Sequence, residues 1–294
     1  MSSAAPFSLR IFVADGDPDG LRVVERSNWI GKALMFPRAL LPRVKGRSEL
    51  SQTGVYLLLG PREDGEGEML YVGEGDPIRP RLESHYAKKD FWTRAVCFVA
   101  GAGQLNKVHV QLLEAQLIAL ATAAKRLPLD NANTPTEPTL SEADRADMQV
   151  FLQNMLGMLP VLGVHAFEQA APAAAFSSAP LLHCKGKGVA ASGYEASQGF
   201  VVKAGSQAVA TAVPSMQQHV RGMYELRQEL IGNGVLAPAQ GGAAEGYRFT
   251  QDYVFSSPST AAAVVLGRSA NGRIEWKDEQ GRTLKALQER EAAA

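Results

Sequence analysis

GVYLLLGPREDGEGEMLYVGEGDPIRPRLESHYAKK, residues 54–89, decides the reading of this chain. Gly54-Val55-Tyr56 and Tyr71-Val72-Gly73 open and close a pair of strand-like runs. Between them Pro61-Arg62-Glu63-Asp64-Gly65-Glu66-Gly67-Glu68 is polar and glycine-bearing, as a hairpin loop requires. With the loop centred near Glu63 and Asp64, a simple antiparallel register sets Tyr56 directly across from Tyr71, two phenols on one sheet face. Asp76-Pro77 then reads as an acidic N-cap and a proline in the first helical position, with a helix over 78–88. Arg81 and His85 lie one turn apart on it, so both side chains leave the same face and reach one small ligand.

Further along, residues 108–124 are apolar on most sides, with Leu112, Leu113, Leu117, Ile118 and Leu120 marking a largely buried helix around one acid, Glu114. A carboxylate there is costly unless a cation, a donor or water meets it. Upstream, Leu9-Arg10-Ile11-Phe12-Val13 and Leu21-Arg22-Val23-Val24 read as strands joined by a tight turn at Asp15-Gly16-Asp17-Pro18-Asp19-Gly20. That turn begins like a calcium loop but has Arg26 where a bidentate Glu is needed. Ala95-Val96-Cys97-Phe98-Val99 reads as another strand. Residues 128–138 form a loop, and Ser141 opens a helix whose apolar stripe is Met148, Phe151, Leu152, Met155 and Leu159.

The Ala, Ser and Pro run of residues 168–180 reads as the boundary between two domains. A first domain is expected over 1–165, a linker over 166–180 and a second domain over 181–294. In the second domain the pattern predicts strands at 181–184 and 199–202 and a helix over 215–231. A last helix runs from Ser257-Pro258 to Gly267, and a hairpin over 273–287 turns at 278–281. His183-Cys184-Lys185-Gly186-Lys187-Gly188 lacks phosphate-loop spacing and reads as an edge strand guarded by lysines. Strands and helices mix without a βαβ rhythm, so the fold class is α+β: a small antiparallel sheet flanked by helices, then a C-terminal α+β domain.

Lys+Arg and Asp+Glu are equal at 30 each, which excludes a global positive field for holding a polyanion. A local footprint exists in residues 79–94, where Arg79, Lys88, Lys89 and Arg94 offer phosphate contacts. Trp92 in the same run reads as core. Arg38, Arg43, Lys45 and Arg47 read as plain polar surface. Two cysteines, Cys97 and Cys184, exclude a disulfide scaffold and a structural zinc site. With no leader pattern, lipidation motif or run of about 18 apolar residues, a cytoplasmic protein without membrane contact is expected.

At residues 50–133 the chain resembles the GIY-YIG nuclease superfamily. Gly54-Val55-Tyr56 and Tyr71-Val72-Gly73 resemble its two tripeptides, Arg81 its helix arginine, His85 the residue one turn later and Glu114 its metal-binding glutamate. For the closing asparagine Asn131 and Asn133 are both present, and Asn131 is preferred because it follows the Leu-Asp pair. The interval between the tyrosines is longer here than is usual. From about Leu226 onward, Tyr247-Arg248-Phe249-Thr250 and Ser256-Ser257-Pro258-Ser259-Thr260-Ala261-Ala262 resemble an uncharacterised domain that often follows such nucleases in bacteria.

The resemblance implies a metal-dependent endonuclease acting on nucleic acid, with DNA the expected polymer, in a bacterial repair, mobile-element or defence setting. Glu114 would hold a single Mg²⁺ or Mn²⁺ ion. Arg81 would clamp the scissile phosphate. Tyr56 would position or deprotonate the attacking water, Arg81 or the cation favouring its phenolate. Tyr71, His85 and Asn131 complete the catalytic set. The second domain would recognise substrate, and a protein partner or homodimer is compatible with this division of labour. The competing reading is a catalytically silent nucleic-acid-binding or scaffold protein within a larger complex.

Overall fold

Short apolar runs along the first hundred positions build one antiparallel sheet in the computed structural model, which describes residues 6–62, 67–101, 103–168, 180–196, 199–239 and 246–292. The chain divides into two compact units, Met1–Glu168 and Gln169–Ala294. The boundary run at residues 169–179 and the loop centre at Glu63 and Asp64 lie outside the described residues. In the first unit the elements are β1 (Leu9–Val13), β2 (Arg22–Arg26), β3 (Gly31–Pro37), α1 (Leu41–Val44), β4 (Gly54–Pro61), β5 (Glu68–Gly75), α2 (Arg79–Lys88), β6 (Arg94–Ala100), α3 (Lys107–Ala124) and α4 (Glu142–Met158). The strands run in the order β1-β2-β3-β6-β4-β5.

The central strands of this sheet, β4 and β6, are buried on both faces. Val55, Leu57, Leu59, Leu70, Val72 and Phe98 pack under α3 and α4. Tyr56, Leu58, Cys97 and Val99 pack with Ile78 and Leu82 at α2 and with Trp92. Trp92 is fully buried, so it belongs to the core as its sequence context suggested. Leu57 is also wholly buried, and truncating such a leucine to alanine costs about 2–5 kcal/mol. The α4 stripe of Met148, Phe151, Leu152 and Met155 lies in the same core. Ser141 caps that helix by accepting the Asp144 N–H at 3.1 Å.

Two local expectations change. β4 and β5 pair Tyr56 with Gly73 and Leu58 with Tyr71, so the phenols are diagonal neighbours rather than directly opposite. The register is displaced by two positions from the symmetric guess, which preserves the faces. The helix begins at Arg79, with Ile78 as N-cap and Pro80 in its first turn. Asp76 is not its cap: it precedes a cis proline bond and accepts from the Thr53 hydroxyl at 2.6 Å.

The second unit contains β7 (Leu182–Gly186), β8 (Val189–Ala196), β9 (Gly199–Val202), β10 (Gln207–Val209), α5 (Pro214–His219), α6 (Arg221–Gly232), β11 (Leu236–Pro238), β12 (Gly246–Phe249), β13 (Tyr253–Phe255), α7 (Pro258–Leu266), α8 (Gly272–Glu275) and α9 (Leu284–Ala292). Its sheets run β13-β9-β8-β7 and β10-β12-β11. The architecture is therefore α+β in both units, with antiparallel sheets throughout the described pairings.

The single helix expected over 215–231 is two, α5 and α6. Val220 leaves the helical region at φ −138 and ψ 53, where a β-branched residue followed by Arg221-Gly222 lowers helix propensity. The hairpin expected over 273–287 shrinks to one bridge, Lys277 with Thr283, between two helices. Asp278 closes its turn by accepting the Gln280 and Arg282 N–H groups. Thr283 then accepts the Ala286 N–H at 3.2 Å and starts α9. Hence Ser257 does not open the last helix. Arg268, Arg282 and Lys285 pair with Glu275, Asp278 and Glu289. Among the described residues no helix is long and apolar enough to cross a membrane.

Candidate functional site

β4, β5 and α2 bring Tyr56, Tyr71, Arg81 and His85 together on one face of the sheet. Tyr56 projects from β4 across Gly73, where a side chain would collide: an added Cβ would lie 2.4 Å from the phenol carbon and oxygen. Glycine at that position makes room for the ring. Its hydroxyl lies 2.9 Å from His85 Nε2 and close to the Arg81 guanidinium, whose charge acts on it. The Tyr71 ring sits 4.7 Å from the His85 ring and 6.3 Å from Tyr56, centroid to centroid. Lys89 Nζ stands 4.8 Å over the Tyr71 ring.

Protonation states follow from burial. His85 is buried and lies near the charges of Arg81 and Lys89, which together push its pKa down to about 4, so it is neutral at pH 7. Burial, followed by the proximity of Tyr71, raises the Tyr56 phenol above its ordinary value; Arg81 opposes this and loses. The expected phenolate is therefore absent from the resting site. Tyr56 keeps its proton and shares a hydrogen bond with the neutral His85 ring at Nε2, with the Arg81 charge nearby.

Glu114 belongs to α3, which covers the opposite face of the sheet, yet its charge acts on Tyr56, Tyr71 and Arg81. The reason is its place at the outer edge of β5, beside Glu74. Alternate residues of β5 turn their amides outward. Leu70 bonds Pro128 and Asp130, and Val72 bonds the Asn131 amide. Burial and the neighbouring Glu74 charge raise Glu114 to about 7.

Glu74 was not singled out in the sequence, although strict alternation after Val72 places it on the α3 face. Lys107 pairs with one of its carboxylate oxygens at 2.5 Å, and its Oε2 is buried without a hydrogen-bond partner. An orphaned carboxylate oxygen beside a second, desolvated carboxylate suits a divalent cation. Among the described residues no group of three or more His, Cys, Asp or Glu forms a metal cage. The donors thus fit a hard ion that keeps most of its water.

Three expected site residues lie elsewhere. Asn131 spends its amide on Val72, accepting the N–H at 3.0 Å and donating to the carbonyl at 2.8 Å, so it braces β5 rather than facing the phenols. Arg94 pairs with Leu59 across β6 and β4 and shares the α3 face with it, bonded there to Glu68 at 3.0 Å. Arg79 is two helical positions from Arg81, which turns it about 200° away. Lys88 and Lys89 do flank the site, and Lys89 is ion-paired with Asp130. Arg38, Lys45 and Arg47 engage carbonyls or nearby acids.

Residues 182–288, all in the second unit, match a domain of unknown function, DUF4357. No curated protein and no solved structure matches the chain.

Proposed function

We propose that this protein is a metal-dependent endonuclease that hydrolyses phosphodiester bonds of nucleic acid, with DNA as the expected polymer and the cytoplasm as its setting. The observation that carries the reading is the Tyr56–His85 hydrogen bond with Arg81, Tyr71 and Glu114 within electrostatic reach of the phenol. The resemblance of residues 50–133 to GIY-YIG nucleases supports it, since these are the positions to which that resemblance assigns chemistry.

Arg81 is exposed and presents a planar fork to a phosphate entering over Tyr71. Phosphate charge beside His85 offsets the nearby cations and strengthens it as a proton acceptor. As the attacking water loses its proton to Tyr56, the Tyr56 proton passes to His85, and Arg81 stabilises the negative phenol oxygen during the transfer. Glu114, with Glu74 beside it, would hold a Mg²⁺ or Mn²⁺ ion. When bound, that ion supplies positive charge against the developing charge on the phosphate.

The test is nicking of supercoiled plasmid and cleavage of single strands with Mg²⁺ or Mn²⁺, comparing wild type with Arg81→Ala, Glu114→Ala and Glu114→Gln. Cleavage in the wild type and loss in all three is expected. Persistent nicking in the variants removes the assignment. Salt-dependent binding without wild-type cleavage selects the silent binding or scaffold protein instead, a reading favoured by the complete burial of Tyr56.

A further inference from the structure

Next to the Tyr71 side of the site, a cleft of about 760 Å³ opens between the start of β5 and the end of α2. Its lining combines the apolar surfaces of Met69, Phe91 and Pro128 with the cations of Arg62, Lys88 and Lys89. Asp90 and Asp130 complete it, the latter neutralised by its ion pair with Lys89. Phe91 is partly exposed here although the rest of its surroundings is core. Lys89 belongs to both places: it lines the cleft and stands over the Tyr71 ring. Lys88, Lys89 and Asp130 are also close enough for their charges to act on His85.

An aromatic face, flanking apolar walls and a rim of cations next to a phosphate-cleaving constellation suit one kind of occupant. A base has a π face whatever its identity, and its backbone carries a phosphate. A stacked duplex cannot offer that face, because its bases are covered by their neighbours. We propose that this cleft takes an unpaired nucleotide of the substrate strand beside the scissile phosphate, its base on Phe91 and its phosphate on Lys88. The proposal rests on the nuclease reading above and narrows its substrate to single-stranded or locally unpaired nucleic acid.

The test uses the full chain in EDTA, with fluorescence anisotropy of labelled dodecathymidylate and of an equally charged dodecamer of abasic units. The thymidylate is expected to bind about tenfold more tightly, in keeping with base stacking on an aromatic side chain. Phe91→Leu, which refills the floor without a ring face, should erase that preference. Lys88→Ala, a surface change, should weaken both probes alike and lower the salt slope by about one. Equal affinities in the wild type, binding of neither probe, or a preference surviving Phe91→Leu would overturn the proposal. Plasmid nicking separates the two readings: nicking without base preference sinks the cleft alone, whereas base preference without nicking leaves the cleft and removes the hydrolase.

Discussion

Arg81 in the first unit and Arg227 in the second each sit beside a tyrosine of their own unit, but to different ends. Arg227 is 2% exposed. Its guanidinium donates to the carbonyls of Val264, Val209 and Ala210 and lies 5.3 Å from the Tyr247 ring. Val264 is in the last turn of α7, where carbonyls lack helical partners and the helix dipole favours a cation. Those bonds tie α6 to α7 and to the end of β10. Arg81 faces the Tyr56 phenol on one side and remains exposed on the other, within reach of an acid with an unsatisfied oxygen, Glu74. Burial of a charge therefore says little about chemistry. Unspent bonding capacity beside a second carboxylate, as at Glu74 and Glu114 on the edge of β5, says more.

The contrast breaks most directly at the acid and the guanidinium. Arg81→Ala or Glu114→Gln should lower the nicking rate by about 10³-fold or more, with no loss of thermal stability relative to the wild type; rates within tenfold of wild type would make Arg81 as structural as Arg227. Next comes Gly73→Ala, whose methyl would displace the Tyr56 phenol. We expect about a 10²-fold fall in single-turnover cleavage with DNA affinity little changed. Arg227→Met should act in the opposite sense: destabilisation by about 2 kcal/mol from stranded carbonyls, read as a lower urea midpoint in Trp276 fluorescence, with an unaltered cleavage rate at low temperature. If cleavage falls and stability does not, the roles of the two arginines have been misjudged.

The smallest effect concerns pH. Folded Glu114 binds its proton up to about pH 7, whereas the unfolded carboxyl releases it near 4.5. Between those values the unfolded state holds fewer protons, so the metal-free protein loses stability as pH rises. Glu114→Gln removes this penalty. Thermal melts in EDTA should show the variant gaining on the wild type from about pH 4.5 to 7 and holding a constant lead above it. A gap that widens on acidification would mean that the carboxylate is stabilised by its surroundings, as a spent group would be.

Much of the site was legible because it is written in local periods. Alternation identified the strands around Tyr56 and Tyr71, and the one-turn interval put Arg81 and His85 on a common helix face. The Ser141 cap and the apolar stripe after it were equally local. What escaped depends on contacts between distant segments. A two-position shift in the pairing of β4 with β5 changed which residue faces Tyr71, and nothing in the flanking polar sequence fixes that register. Asn131 looks like any asparagine until β5 presents the Val72 amide to it. Arg94 has the composition of a phosphate contact but the strand parity of the α3 face. The proton on Tyr56 is a property of complete burial, which no neighbouring residue in the chain announces.

Strand β5 ends its sheet, a position from which proteins commonly recruit another chain's strand. Here the Leu70 N–H is met by the Pro128 carbonyl and the Val72 N–H by the Asn131 side chain. The loop after α3, expected in the sequence to supply a catalytic asparagine, thus doubles as a stopper against intermolecular strand pairing. Alanine in place of Asn131 would leave one outward amide bare and invite self-association on storage.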